Sequence, residues 1–91
     1  MNYNDLYYPV KYSEDGASFK LKTPGYKKEE LQIQLVGDNI IISGDSPDYR
    51  KFERSFLVDD NYDITQTKAK YENGVLIITI PKKTGTTIVI E

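Results

Sequence analysis

The stretch Ala69-Lys70-Tyr71-Glu72-Asn73-Gly74-Val75-Leu76-Ile77-Ile78-Thr79-Ile80-Pro81-Lys82 decides the fold. Asn-Gly between two β-prone runs signals a hairpin, because a type I′ turn requires positive φ at both central residues. With Asn73 and Gly74 as the turn, Glu72 faces Val75, Tyr71 faces Leu76, Lys70 faces Ile77 and Ala69 faces Ile78. Side chains alternate across a strand, so Tyr71, Leu76, Ala69, Ile78 and Ile80 share one face. Lys68, Lys70, Glu72 and Thr79 share the other. One dry face and one mostly wet face are what half of a β-sandwich requires.

The same logic applies upstream. Leu31, Ile33 and Leu35 alternate with Gln32 and Gln34, and Gly37-Asp38 forms a second tight turn, so Leu35 faces Ile40 and Ile33 faces Ile42. Asn39 to Gly44 is the returning strand. Phe52, Arg54, Phe56 and Val58 then alternate with Glu53, Ser55 and Leu57 after a polar loop over Asp45–Lys51. Ala17–Lys22 forms an earlier strand, broken by Thr23-Pro24-Gly25. Pro9–Ser13 is an edge strand with Pro tolerated at its start. Lys27–Glu30 opens one helical turn, and no helical period is sustained. Short strands with Gly, Pro, Asn and Asp punctuation predict an all-β antiparallel sandwich. Residues 1–8 form a short arm, 9–81 the sandwich, and 82–91 a polar tether ending in Ile88-Val89-Ile90.

Ninety-one residues make one small domain, which buries only about 60–65% of its unfolded surface, so association adds to its stability. Twelve basic side chains against fourteen acidic ones give a formal charge of −2 with no block of one sign. That argues against a nucleic-acid binder. The chain has no His and no Cys, which removes the usual bases, thiol nucleophiles and soft-metal ligands. No Walker-type phosphate loop occurs. Asp59-x-Asn61-x-Asp63 begins like a calcium loop, but Ile64 and Lys70 stand where its Gly and Glu belong. The reading is therefore no enzyme, cofactor or metal, and no nucleotide. No apolar run reaches the length of a membrane span, and the first residues lack a secretory pattern, so the expectation is a cytoplasmic protein away from membranes.

Two features point to association. Arg54 lies on the side of Phe52 and Phe56, where a charge needs a partner. It either reaches solvent at a strand edge or forms an ion pair at a dimer interface, the preferred reading. Ile88 and Ile90 either fold as a last strand on their own domain or act as a detachable anchor. An anchor adds to a sheet edge and seats two Ile side chains in pockets. Burying two Ile is worth roughly 3–6 kcal/mol before association costs, so one tail binds weakly and several bind firmly.

The pattern Ala69-x-Tyr71-x-Asn73-Gly74-Val75-Leu76-x-Ile78-x-Ile80-Pro81-Lys82 resembles the α-crystallin domain signature of small heat-shock proteins. Phe19…Pro24-Gly25-Tyr26-Lys27-Lys28-Glu29-Glu30-Leu31, Gly37-Asp38-Asn39-Ile40-x-Ile42-x-Gly44, Phe52-x-Arg54-x-Phe56 and Ile88-x-Ile90 resemble its other segments. The match runs from about Pro9 to Glu91. It implies an immunoglobulin-like sandwich and an ATP-independent holdase that binds unfolding client proteins as a homo-oligomer in a stress response. It also implies that Ile88 and Ile90 dock in a neighbour's groove between Ile33/Leu35 and Ala69/Tyr71, with Arg54 at or near the dimer interface. Leu6, Tyr7 and Tyr8 of the arm would touch clients or other subunits. Three departures stand out. The Asp45–Lys51 loop is too short for the swapped extra strand of microbial members, so a dimer must use another edge. The arm is very short, and Asp59 replaces the usual Pro. A structural subunit or an adaptor like the CS-domain co-chaperones is the alternative.

Overall fold

The computed structural model describes residues 10–85 and 88–91. Among these residues seven strands follow one another: β1 (Lys11–Tyr12), β2 (Gly16–Lys22), β3 (Leu31–Val36), β4 (Asn39–Ser46), β5 (Tyr49–Leu57), β6 (Lys68–Glu72) and β7 (Val75–Pro81). They make two antiparallel sheets, ordered β1-β2-β7-β6 and β3-β4-β5. The all-β sandwich expected from the alternation is the observed architecture.

Both predicted turns set the predicted registers. Tyr71 faces Leu76 and Ala69 faces Ile78, while Leu35 faces Ile40 and Ile33 faces Ile42. Asn73 and Gly74 hold φ of 52° and 77°, the left-handed pair that the hairpin demands. Thr23 locks this turn to the end of β2. Its N–H and its hydroxyl both donate to the Gly74 carbonyl, at 2.7 and 3.2 Å. A buried Thr is thereby satisfied rather than stranded.

The inward faces of β2, β4 and β7, with Val58 just past β5, supply the buried core. Phe19, Leu21, Ile40, Ile42, Val58, Leu76, Ile78 and Ile80 pack together, and Ile40, Ile42 and Ile78 are completely buried. Phe19 and Phe56 meet across the sheets with ring centroids 4.5 Å apart. The outward positions Lys20, Lys22, Glu53, Ser55 and Thr79 are exposed, which is the alternation made physical.

One local expectation changes. The Asp45–Lys51 stretch is a tight hairpin, not a loop. β4 runs on to Ser46, β5 starts at Tyr49, and only Pro47 and Asp48 lie between. Its polar side chains do not prevent pairing because the ladder is made by the main chain. Ser46 pairs with Tyr49 after an irregularity past Gly44. The approach to β6 also contains a 3-10 turn, Ile64–Gln66, capped by the Asp63 carboxylate accepting from the Thr65 N–H. The expected helical turn before β3 is a 3-10 turn at Lys28–Glu30.

Candidate functional site

Among the described residues the sheet order leaves four strand edges: β1 and β6 in one sheet, β3 and β5 in the other. A cleft walled by Val10, Tyr12 and Phe19 on one sheet and by Phe56, Leu57 and Val58 on the other places β1 and β5 on one side. β3 and β6 therefore share the opposite side.

On that opposite side lie the four residues expected to form a groove. Ile33 on β3 and Tyr71 on β6 are half-buried against the core. Leu35 is 45% exposed and Ala69 is exposed. The Tyr71 hydroxyl donates to the Tyr26 carbonyl at 2.5 Å, which ties β6 to the segment that leads into β3. Two apolar floor positions and two apolar rim positions thus line two unpaired edges. An extended segment laid there would find main-chain partners along an edge and apolar contact beneath it.

Ile88, Val89 and Ile90 stand away from their own sandwich, with 83%, 82% and 95% of their surfaces exposed. The folded-back alternative for the tail is not the observed arrangement. Three consecutive apolar residues this exposed make an unusually sticky segment on a small domain.

Arg54 is half-buried on the inward face of β5. Its guanidinium donates to the Glu53 carbonyl at 2.8 Å and lies 6.0 Å from the Phe52 ring centroid. It has no carboxylate partner among the described residues; the ion pairs found there are Lys51–Asp45 and Lys70–Glu72, both exposed. The Val58 N–H donates to the Asp38 carbonyl. Alternation therefore turns the main-chain groups of Leu57, Ser55 and Glu53 toward the free edge of β5, and Leu57 is 79% exposed there.

Leu6, Tyr7 and Tyr8 lie outside the described residues. Asp59 and Asp63 serve as local caps, accepting from the Asn61 and Thr65 N–H groups. No group of three potential metal ligands occurs among the described residues. Among those residues no helix is long and apolar enough to cross a membrane.

One feature was not read from the sequence. Tyr26, Tyr49 and Phe52 cluster at the end of the sandwich where β2 finishes, with Tyr26 5.6 Å from Tyr49 and 5.1 Å from Phe52, centroid to centroid. The Tyr26 hydroxyl donates to the Arg50 carbonyl. Gly25, at φ +89°, lets the Tyr49 ring lie where a Cβ would stand. The available signal was the Gly before Tyr26, since only a bare backbone admits a ring so closely.

Comparison with known proteins agrees with this architecture. The family model described as Hsp20/alpha crystallin family matches residues 10–90. The 18.5 kDa class I heat shock protein of Glycine max is 36% identical over 81 residues, covering 71% of this chain and 50% of that protein. The 17.6 kDa class I heat shock protein 1 of Arabidopsis thaliana is 34% identical over 80 residues, covering 70% and 52%. The chain thus spans about half the length of these curated relatives. Among solved structures, a small heat-shock protein from Xylella fastidiosa superposes with a TM-score of 0.80 at 22% identity, covering 93% of this chain and 92% of that one. HSP18.5 from E. histolytica gives 0.77 at 22%, covering 94% and 95%. With the sandwich, both hairpin registers and the family match over residues 10–90 in agreement, the chain belongs to the Hsp20/alpha-crystallin family of small heat-shock proteins.

Proposed function

We propose that this protein is an ATP-independent holdase of the cytoplasm. It binds unfolding proteins and keeps them from aggregating, and it assembles through strand edges and through its tail. Family membership supports a chaperone role rather than an enzymatic one. The observation that carries the assembly mode is the exposure of Ile88 and Ile90, at 83% and 95%, on a chain that also leaves the β3 and β6 edges open. Ile88 and Ile90 of one copy seat between Ile33/Leu35 and Ala69/Tyr71 of a neighbour. The two Ile side chains contribute most of the apolar gain, and the edge supplies main-chain hydrogen bonds.

The dimer edge is β5. Its outward main-chain groups are at Glu53, Ser55 and Leu57, and pairing two such strands antiparallel about a twofold axis keeps like faces together. Arg54, with no carboxylate partner among the described residues, then lies within reach of the partner's face. The short Pro47-Asp48 turn has no excursion to exchange, in keeping with an edge-to-edge dimer.

The test is light scattering of a heat-unfolding model client, without nucleotide, at increasing ratios of this protein. Suppression that saturates at a fixed ratio supports the holdase. Unchanged scattering with the protein folded overturns it and favours a structural subunit or adaptor that uses the same edges.

A further inference from the structure

The lysines are scattered along the sequence with no block of one sign, yet the sheet topology gathers several of them on one surface. In the four-stranded sheet β7 lies between β2 and β6. Lys20 on β2 and Lys70 on β6 both pair with Ile77, and Ser18 and Lys68 both pair with Thr79. Lys11 on β1 pairs with Ser18 and continues that second row. All of these positions point outward, because Phe19, Leu21, Leu76, Ile78 and Ile80 fill the core. Each lysine is followed in sequence by an inward residue, so a linear reading shows alternation where the folded sheet shows a basic face.

This surface has an apolar middle and cationic flanks. Val75 and Ile77 are half-buried along its centre, and Lys11, Lys20, Lys68 and Lys70 stand exposed to either side. Glu72, at one corner, is the only carboxylate at an outward strand position of this sheet among the described residues, and it pairs with Lys70 at 3.6 Å. Lys11, Lys20 and Lys68 have no ion-pair partner among those residues. Lys22 makes an interaction of its own and is not drawn on.

Shape and charge together select the partner. An extended segment laid on the face of a sheet, unlike one added at an edge, finds no main-chain partners, whereas a helix satisfies its own. β2 and β6 are two strand spacings apart, about 10 Å, which matches the width of a helix. The outward positions carry no aromatic side chain on which bases could stack. A broad anionic plane such as a bilayer would also meet Asp15 and Asp63, which line a cleft of about 590 Å³ at the Lys11 end, and Glu72 at the other. We propose that the outer face of β2, β7 and β6 docks an amphipathic helix of another protein. Its apolar stripe lies on Val75 and Ile77, and its carboxylates on both flanks meet Lys20 on one side and Lys68 and Lys70 on the other. Carboxylates three or four residues apart on a helix are separated by about 4.5–6 Å along its axis, close to the roughly 6.8 Å between Lys68 and Lys70 along β6. Because Lys68 and Lys70 alternate with Ala69 and Tyr71, this site is on the opposite face of β6 from the seat proposed for the tail.

The probe is a synthetic peptide of about 18 residues, long enough to be helical alone, with a Leu stripe at helical spacing and Glu on both flanks of it. Titrated into the labelled full chain and followed by nuclear magnetic resonance, it should give saturable shifts at Lys20, Ile77 and Lys70, with Ile33 and Leu35 unmoved. In Lys20→Glu/Lys68→Glu, changed only at exposed positions and checked for folding by circular dichroism, binding should weaken at least ~10-fold. A peptide with Lys in place of every Glu should instead bind that variant at least ~10-fold more tightly than the unchanged protein. Salt at about 0.5 M, which needs no variant, should weaken the first complex several-fold. Shifts centred on Ile33 and Leu35 would make the peptide an occupant of the β3/β6 opening and overturn the proposal. Equal affinity for the variant, or affinity indifferent to salt, would overturn it too. So would an unmoved Lys20, Ile77 and Lys70 with the peptide, whether or not vesicles of phosphatidylcholine and phosphatidylserine shift them.

Discussion

Removing the tail's anchors should dissolve the assembly and spare the domain. Ile88 and Ile90 are 83% and 95% exposed. A fully buried Ile is worth at most about 3 kcal/mol, so the fraction of the pair already covered by its own sandwich accounts for under about 0.7 kcal/mol. The double substitution Ile88→Gly/Ile90→Gly should therefore shift the free energy of unfolding by less than about 1 kcal/mol. In an assembly the same two side chains lose most of their exposure, a gross gain of roughly 3–6 kcal/mol. Losing even 3 kcal/mol of that weakens association about 150-fold. Sedimentation velocity across a concentration series reads the assembly, and urea unfolding reads the domain. A shrunken assembly with an unchanged unfolding midpoint is the expected pair of results. An assembly of unchanged size, or a loss of several kcal/mol in unfolding, would refute the reasoning. The second outcome would make the tail an intramolecular strand.

Other perturbations probe the frame. Gly74→Val places a β-branched residue at φ +77° and should cost about 1–2 kcal/mol in urea unfolding, although nothing lies nearer than 3.8 Å to its new Cβ. Ile78→Ala removes a completely buried side chain facing Phe19 and should cost about 2–5 kcal/mol, lowering the melting temperature accordingly. Gly44→Ala brings a Cβ to 2.2 Å from the Phe52 ring, so the ring must swing away, at about 1–3 kcal/mol, with shifted Tyr26 ring resonances. Arg54→Glu should leave the monomer fold intact by circular dichroism and reduce dimerisation in sedimentation.

The hairpins were legible because a two-residue turn fixes register, and register fixes which side chains are inside. Asn73-Gly74 and Gly37-Asp38 each carried that information in two letters. The β4–β5 hairpin was less legible, because Asp45, Ser46, Tyr49, Arg50 and Lys51 are polar and read as loop. Their ladder is made by main-chain groups that composition does not report. The 3-10 turn at Ile64–Gln66 is too short to show a period. Tyr26, Tyr49 and Phe52 meet only through tertiary folding, so no local spacing announces them. Ile33, Leu35, Ala69 and Tyr71 were legible as inward or rim positions. That β3 and β6 share one side depends on how the chain crosses from β5 to β6, which the alternation does not encode.

The opening between β3 and β6 as the seat of the tail is the claim on which the proposed assembly stands. Its most direct test is nuclear magnetic resonance titration of labelled protein carrying Ile88→Gly/Ile90→Gly with a synthetic peptide of residues 86–91. Saturable shifts at Ile33, Leu35, Ala69 and Tyr71, with Leu57 and Phe56 unmoved, are the expected result. Shifts confined to the β1 and β5 side, or no shifts at millimolar peptide, would contradict it.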